Sequence, residues 1–126
     1  MPVFTRLSKD SPPSVLVVDP DPDICSGITD LLTAKGWKVH RVPDGKTCLE
    51  QIQHQGFDAI LLREYLPDMD GLSLLNVLRI RRRGTPVIFL TGSGPSPMAL
   101  QRGACAVLTL PYEREELSSL LQSVIR

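Results

Sequence analysis

The sequence predicts an α/β domain in which a parallel β-sheet carries helices on both faces. Two observations indicate this fold class: short apolar runs recur along the chain, and a stretch with helical spacing or capping follows each of them. An apolar run of about four residues is typical of a strand that is covered on both faces. Alternation with helices indicates parallel strands joined by right-handed crossovers. At 126 residues the chain has room for one such domain with a sizeable core.

The strands are predicted from five stretches of the chain. Residues 15–18, 59–62 and 87–90 are continuous apolar runs and predict strands that are buried on both faces. Residues 37–42 alternate only in part, which indicates a strand at the edge of the sheet. Residues 106–108 are the last apolar run, and they predict the fifth strand.

The helices are predicted from capping residues and from the spacing of apolar side chains. Asp21 before Pro22, and Asp44, are N-cap residues for the first two helices, which end near Gly36 and Gly56. The inward-facing residues of the four long helices are Ile24, Ile28, Leu31 and Leu32; Cys48, Leu49 and Ile52; Leu72, Leu75 and Leu78 or Val77; and Leu117, Leu120, Leu121 and Val124. Four helices of ordinary length are therefore expected.

The fourth helix is predicted to be short. Residues 92–97 contain two glycines and two prolines and leave only residues 98–102 for a helix before Gly103. This is about one helical turn, and both residue types disfavour helix nucleation. We expect a short, irregular or partly melted helix, and a harmless loop deletion is the alternative interpretation.

Composition limits the class of protein. The chain has 14 basic and 14 acidic side chains, so no overall field attracts nucleic acid or an anionic membrane. No apolar run approaches the roughly 18 residues of a membrane span, and no signal peptide pattern is present. The third helix ends in four arginines, Arg79, Arg81, Arg82 and Arg83. They are interpreted as solvated cations that complement the helix dipole, and a nucleic-acid-binding patch is the alternative. A cytoplasmic protein without a membrane or direct nucleic-acid partner is expected.

The cysteines and the N-terminal residues add two further expectations. Cys25, Cys48 and Cys105 are widely spaced in apolar stretches, so they are predicted to be small buried hydrophobic residues rather than metal ligands. No metal and no cofactor are expected. Residues 1–14 contain lysine, aspartate and two adjacent prolines without sustained periodicity, and they are predicted to be a flexible leader before a domain of residues 15–126.

Four motifs in combination resemble the receiver domains of response regulators, the chemotaxis-regulator-like superfamily. They are LVVD at 16–19, LPDMDG at 66–71, FLTG at 89–92, and GA at 103–104 leading to LTLP at 108–111. The resemblance extends from about residue 15 to residue 126. It implies a flavodoxin-like three-layer (βα)5 sandwich with strand order 2-1-3-4-5. In this order the carboxyl ends of strands 1 and 3 are neighbours and flank the ligand crevice.

The resemblance also implies where the functional site lies. In this family two adjacent acidic residues after strand 1 hold Mg²⁺, and an aspartate ending strand 3 accepts a phosphoryl group. A strand-4 hydroxyl binds the phosphoryl oxygen and a strand-5 lysine pairs with it. At the matching positions of this chain, Asp19 keeps the first acidic place, Pro20 replaces the second, and Arg63 replaces the phosphoacceptor. Thr91 remains, whereas Leu110 replaces the lysine.

Arg63 makes ordinary phosphorylation chemically unsuitable at this position. A guanidinium is always charged and has no free lone pair, and Mg²⁺ requires several oxygen ligands. The hypothesis is that Arg63 pairs with Asp19, with Asp21 or Asp68 as further candidate partners. Asp19→Ala is then expected to cost about 3–5 kcal/mol. The alternative is that Arg63 extends into solvent.

The remaining positions of the implied site have simpler expected roles. Leu110 is expected to fill the core, because an unpaired buried lysine would be costly. Val107 stands where the family often has an aromatic residue that switches conformation. The hydroxyl of Thr91 is expected to bond backbone or water, and Asp68 is expected to bond local backbone N–H groups.

Together these residues indicate a pseudo-receiver without enzymatic activity, a protein-interaction module in two-component (phosphorelay) signalling. The alternative is a receiver that a histidine kinase still phosphorylates on Glu64 or Asp68. The expected partner is a histidine kinase or a downstream output protein or domain, with a homodimer through helix 4, strand 5 and helix 5 as a further option. A flavodoxin-type binding loop is disfavoured by the acidic, proline-containing residues 19–23, which repel phosphate. Hydrolysis is disfavoured because His40 and His54 fall in peripheral elements.

Overall fold

Strands and helices alternate along the whole of residues 11–125, the part of the chain that the computed structural model describes. The elements are β1 (Ser14–Val18), α1 (Pro22–Thr33), β2 (Lys38–Val42), α2 (Gly45–His54), β3 (Ala59–Arg63), α3 (Gly71–Arg81), β4 (Val87–Thr91), α4 (Pro97–Gln101), β5 (Ala106–Thr109) and α5 (Arg114–Val124). The strands form one parallel sheet in the order β2-β1-β3-β4-β5. The predicted flavodoxin-like α/β fold is confirmed.

The sheet has two hydrophobic cores, one on each face, because successive side chains of a strand point to opposite faces. Leu16, Leu62 and Phe89 lie in the α2–α3–α4 core, on the face that those three helices cover. Val17 and Leu61 lie in the α1–α5 core on the other face. The three central strands are therefore covered on both faces, and they carry the continuous apolar runs for this reason.

Helix starts are fixed by side-chain caps. Asp21 accepts the N–H groups of residues 23 and 24, and Asp44 accepts that of residue 47, as predicted. Asp70 caps α3 by accepting the Ser73 N–H at 2.8 Å. The fourth helix has only five residues, of which Ala99 is buried. The prediction of a short fourth helix is therefore confirmed.

The first strand begins one residue earlier than the predicted run of residues 15–18. Ser14 was assigned to the leader, but it is the first residue of β1. Its N–H donates to the Asp58 carboxylate at 2.8 Å, and its carbonyl accepts the Asp58 N–H at 2.8 Å. These two bonds join the starts of β1 and β3. Residues 1–10 of the predicted leader lie outside the described residues.

Two surface expectations need correction. Cys25 and Cys48 are buried as predicted, but Cys105 is exposed because it precedes β5 rather than lying inside it. Arg79 and Arg82 are not simply solvated. Arg79 donates to the carbonyl oxygens of residues 85 and 83 at 3.0 and 2.7 Å, and Arg82 donates to the carbonyl of Ile52 in α2. Within residues 11–125 no helix is both long and apolar enough to cross a membrane.

Candidate functional site

The candidate site lies at the carboxyl edge of the sheet, where β1 and β3 end side by side. Val18 pairs with Leu62, so the next residues, Asp19 and Arg63, are neighbours. The Asp19 N–H donates to the Val42 carbonyl at 3.1 Å, which holds the end of β1 against β2. The parallel register therefore brings together two site residues that are 44 positions apart in the chain.

Asp19 and Arg63 form an ion pair. The Arg63 Nη1 donates to Asp19 Oδ2 at 3.3 Å, and the side chains are 25% and 0% exposed respectively. The other carboxylate oxygen of Asp19 accepts the Asp21 N–H at 2.9 Å. Both oxygens of this buried carboxylate are thus engaged, one by backbone and one by the guanidinium.

Burial raises the pKa of Asp19 above the ordinary aspartate value. The Asp21 N–H and the Arg63 guanidinium lower it, but together they do not offset the effect of burial. The carboxylate consequently carries an electrostatic cost in the folded protein. Arg63 reduces this cost and does not add a large net stabilisation.

The other candidate partners of Arg63 have different roles. Asp21 is the N-cap of α1. Asp68 accepts the N–H groups of Gly45 and Lys46 at 2.9 Å each, so it binds the start of α2. These two bonds lower the pKa of Asp68. The expectation of backbone N–H partners was right, but the partners are more than 20 residues away rather than local.

A second hydrogen-bonded group lies beside the ion pair at the ends of β3 and β4. The buried Thr91 hydroxyl donates to Glu64 Oε1 at 2.9 Å. The Ser93 hydroxyl lies 3.2 and 3.3 Å from the two carboxylate oxygens of Glu64, and the Ser93 N–H donates to Thr91 Oγ1 at 3.1 Å. Thr91 thus has the expected backbone partner, together with a carboxylate that was not expected.

Sequence reasoning missed the contact between Glu64 and Ser93. The strand register carries a signal only for the neighbouring contact with Thr91: Arg63 pairs with Leu90, so Glu64 and Thr91 are the next residues on adjacent parallel strands. The Glu64 N–H also donates to the Leu90 carbonyl at 2.8 Å, which continues the ladder by one residue. A polar side chain placed here reaches the hydroxyl groups at the end of β4.

The turn from β3 to α3 requires a glycine at its end. The Gly71 N–H donates to the Glu64 carbonyl at 2.7 Å. A Cβ atom at Gly71 would collide with the backbone oxygen of Arg63. The close approach of α3 to the end of β3 therefore excludes any side chain at residue 71. It holds the backbone of Arg63 and Glu64 in place.

The remaining predicted site residues lie around this edge. Leu110 is half-buried and belongs to neither core, so the expectation that it fills the core was wrong. Its N–H donates to the Thr91 carbonyl at 2.8 Å, and a cis peptide bond joins it to Pro111. Pro20 is exposed, and Val107 is half-buried against the α2–α3–α4 core.

The residues at this edge do not fit the Mg²⁺ ion that the family resemblance implies. Mg²⁺ binds several oxygen ligands in near-octahedral geometry. Here Asp19 already uses both oxygens, Pro20 supplies no side-chain oxygen, and the Arg63 guanidinium places a positive charge beside the carboxylate. In the part of the chain that the structure describes, no three His, Cys, Asp or Glu side chains are grouped so that they could hold a metal ion.

Comparison with curated proteins gives a consistent family. The response regulator receiver domain family matches residues 15–122. The probable transcriptional regulatory protein TcrX of Mycobacterium tuberculosis is 31% identical over 124 residues, which are 96% of this chain and 53% of that protein. TrcR of the same organism is 33% identical over 119 residues, 92% of this chain and 46% of that protein. The chain therefore spans about half the length of these relatives.

Solved structures agree with this family. The receiver domain of the Francisella response regulator 1452 is 31% identical, with a TM-score of 0.83 over 89% of this chain and 95% of that one. The receiver domain of the Pseudomonas aeruginosa sensor histidine kinase PA1611, which has a magnesium ion coordinated in its active site cleft, is 30% identical, with a TM-score of 0.82 over 90% and 98%. By the family match and the shared fold, this chain belongs to the response regulator receiver domain family.

Proposed function

We propose that this chain is a pseudo-receiver, a protein-interaction module of two-component signalling that works without aspartyl phosphate. Family membership supports the signalling role. The ion pair between Arg63 and Asp19 is the observation that carries the rest of the proposal. It places a cation at the end of β3, where the family resemblance expects the phosphoacceptor.

The chemistry of this pair supports the loss of phosphorylation at residue 63. A guanidinium stays protonated in proteins and offers no nucleophilic lone pair to a phosphoryl donor. Phosphoryl transfer also needs positive charge on the transferring oxygens and an oxygen nucleophile in line. The carboxylate of Asp19 is already bonded to Arg63 and to the Asp21 N–H, so it is not available for metal binding.

The partner of such a module is another protein. A histidine kinase, or a downstream output protein or domain, would bind the fold in the cytoplasm, without direct contact of this domain with nucleic acid. The face formed by α4, β5 and α5 is also a candidate homodimer surface. Met98 and Leu100 on α4 are 47% and 51% exposed, which supports a contact role for this face.

Intact mass spectrometry tests the proposal. The protein is incubated with acetyl phosphate and Mg²⁺, and separately with a phosphorylated histidine kinase. We expect no mass gain for the wild type. The variant Pro20→Asp/Arg63→Asp/Leu110→Lys restores the acidic, acceptor and lysine positions, and it serves as the matched control that gains one phosphoryl group. A stable phosphoryl gain on the wild-type domain would overturn the proposal.

The second candidate function is a receiver that is phosphorylated on a substitute carboxylate. One observation favours Glu64 over Asp68 for this role. The Glu64 carboxylate lies 2.9 Å from the Thr91 hydroxyl, whereas Asp68 is occupied by two backbone N–H groups of α2. A phosphoryl gain that disappears in Glu64→Gln and persists in Asp68→Asn would support this function and identify the acceptor.

A further inference from the structure

We propose that Glu64 is an internal anionic clamp, which holds the segment between β4 and α4 in one conformation and thereby fixes the position of α4. The clamp rests on the proposed function, because it occupies the hydroxyl of Thr91, which the family resemblance assigns to a phosphoryl oxygen. The proposal concerns the carboxylate of Glu64 and the hydroxyl groups of Thr91 and Ser93.

The backbone of Glu64 is fixed on both sides. Its N–H donates to the Leu90 carbonyl at 2.8 Å, and its carbonyl accepts the Gly71 N–H at 2.7 Å. The side chain therefore starts from a rigid position at the end of β3. From there the carboxylate reaches one buried hydroxyl, on Thr91, and one exposed hydroxyl, on Ser93. Hydrogen bonds to a charged acceptor are stronger than those between neutral groups.

The short helix α4 makes few stabilising contacts of its own between the two points where the chain is held. Of the five residues of α4, Ala99 is the buried one, and it buries a single methyl group. The first helical hydrogen bond, from the Leu100 N–H to the Ser96 carbonyl, is 3.4 Å long. One helical turn is too short to be stable in isolation. The position of α4 therefore depends on the attachments before and after it.

After α4 the chain is held by backbone hydrogen bonds, whereas before α4 it is held in part by the Glu64 clamp. At the carboxyl end, the Ala104 N–H donates to the Ala99 carbonyl at 3.0 Å and the Cys105 N–H donates to the Val87 carbonyl at 2.9 Å. At the amino end, Ser93 contacts both the Glu64 carboxylate and the Thr91 hydroxyl, which Glu64 itself holds at 2.9 Å, so Glu64 fixes both partners of this contact two residues after β4 ends. Gly94 follows directly with a φ of 94°, in the conformational region that glycine tolerates best. Loss of the clamp would therefore leave a flexible residue shortly before α4.

Amide hydrogen exchange tests the clamp, because local opening of a segment shows as faster exchange there while the core remains protected. Wild type, Glu64→Gln and Glu64→Ala are compared with Glu50→Ala, which removes an exposed carboxylate from α2. In Glu64→Ala we expect exchange at residues 93, 99, 100 and 102 to become about tenfold faster, as for loss of one charge-assisted hydrogen bond. Glu64→Gln keeps one oxygen acceptor and should show a smaller increase. Glu50→Ala should match the wild type.

The outcomes separate the clamp from a general structural role. Unchanged exchange at these amides in Glu64→Ala, or an equal acceleration in β1 and β3, would overturn the proposal. If Glu64→Ala does not fold, Glu64→Gln decides, because it removes the negative charge without shortening the side chain and must accelerate the same amides. All samples are free of phosphoryl donor. A phosphoryl gain in the mass experiment would therefore overturn the proposed function, while unchanged exchange would overturn the clamp alone.

Discussion

Replacing Arg63 by methionine should lower the free energy of unfolding more than replacing Asp19 by asparagine. The reason is the unequal access of the two side chains to water, 25% exposed for Arg63 and 0% for Asp19. Without Asp19, the guanidinium can turn toward solvent. Without Arg63, an ionised carboxylate stays inside the protein with one backbone N–H as its remaining partner.

The size of the effect follows from the geometry of the pair. Removing one partner of a fully buried ion pair costs about 3–5 kcal/mol. Here the pair is a single contact of 3.3 Å, and the arginine is already partly solvated. We expect Arg63→Met to cost about 2 kcal/mol and Asp19→Asn to cost less than about 1 kcal/mol. The structure thus revises the larger loss that the sequence suggested for removal of Asp19.

The loss of unfolding free energy in Arg63→Met should depend on pH. Because burial raises the pKa of Asp19, the folded protein holds this proton more tightly than the unfolded chain does. The contribution of Asp19 to stability is therefore largest below the ordinary aspartate pKa of about 3.9, and it is lost as the pH rises through the raised pKa. Arg63 lowers that pKa, so its removal increases the loss at neutral pH and has little effect at acid pH.

Urea unfolding followed by the fluorescence of Trp37 measures these differences. Trp37 is the single tryptophan of the chain and packs against the α1–α5 core. The measurement is made at about pH 7 and at about pH 3.5, which lies below the ordinary aspartate pKa. The double variant Asp19→Asn/Arg63→Met has neither charge and should return to within about 1 kcal/mol of the wild type. An Asp19→Asn variant that loses as much as Arg63→Met, or a pH-independent deficit, would refute this reasoning.

Three further predictions concern other parts of the domain. Gly71→Ala should lower the free energy of unfolding by about 1–3 kcal/mol in the same urea experiment, because the new Cβ atom would collide with backbone atoms. Gly84→Ala is the control and should be neutral, because no atom lies within 4 Å of a Cβ atom there. Asp68→Asn should lower the free energy of unfolding by about 0.3–0.5 kcal/mol at pH 7, and this difference from the wild type should vanish as the pH falls through the lowered pKa of Asp68. A loss relative to the wild type that does not shrink as the pH falls below the ordinary aspartate pKa would contradict the bond to α2. A thiol reagent at mildly alkaline pH should modify the exposed Cys105 faster than Cys25 and Cys48, because burial keeps the reagent from these two thiols and raises the pKa of Cys48 to about 12. Equally rapid labelling of three thiols per folded chain would contradict this prediction.

Local signals in the sequence were sufficient for the elements of the fold. Apolar runs marked the strands, Asp21 and Asp44 marked helix starts, and the prolines and glycines of residues 92–97 marked the short α4. The proximity of Asp19 and Arg63 followed from strand order, which came from the family resemblance. Once two parallel strands are adjacent, the residues that end them must meet, whatever their chemistry.

Contacts that depend on side-chain direction in loops were not predictable in the same way. The bonds from Asp68 to α2 and from Glu64 to Ser93 join segments whose relative position is set by core packing and not by any local pattern. Leu110 looked like a core residue by polarity, yet its backbone bond to Thr91 leaves its side chain half-exposed. Cys105 was predicted to be buried because of its hydrophobicity, which does not show that a residue just before β5 lies at the surface.

The bonds from Asp68 to the start of α2 have a mechanical consequence. They tie the turn after β3 to a helix on the side of the sheet where β2 is the edge, so they couple the motion of these two parts. The opposite side carries the five-residue α4, whose attachment before the helix is the proposed clamp of Glu64 on Thr91 and Ser93. A protein that binds the α2 side, which Asp68 holds, would lose little conformational entropy on association. A protein that binds the α4 side contacts a segment whose order depends on the clamp, so loss of the clamp should weaken its binding for the same contact area.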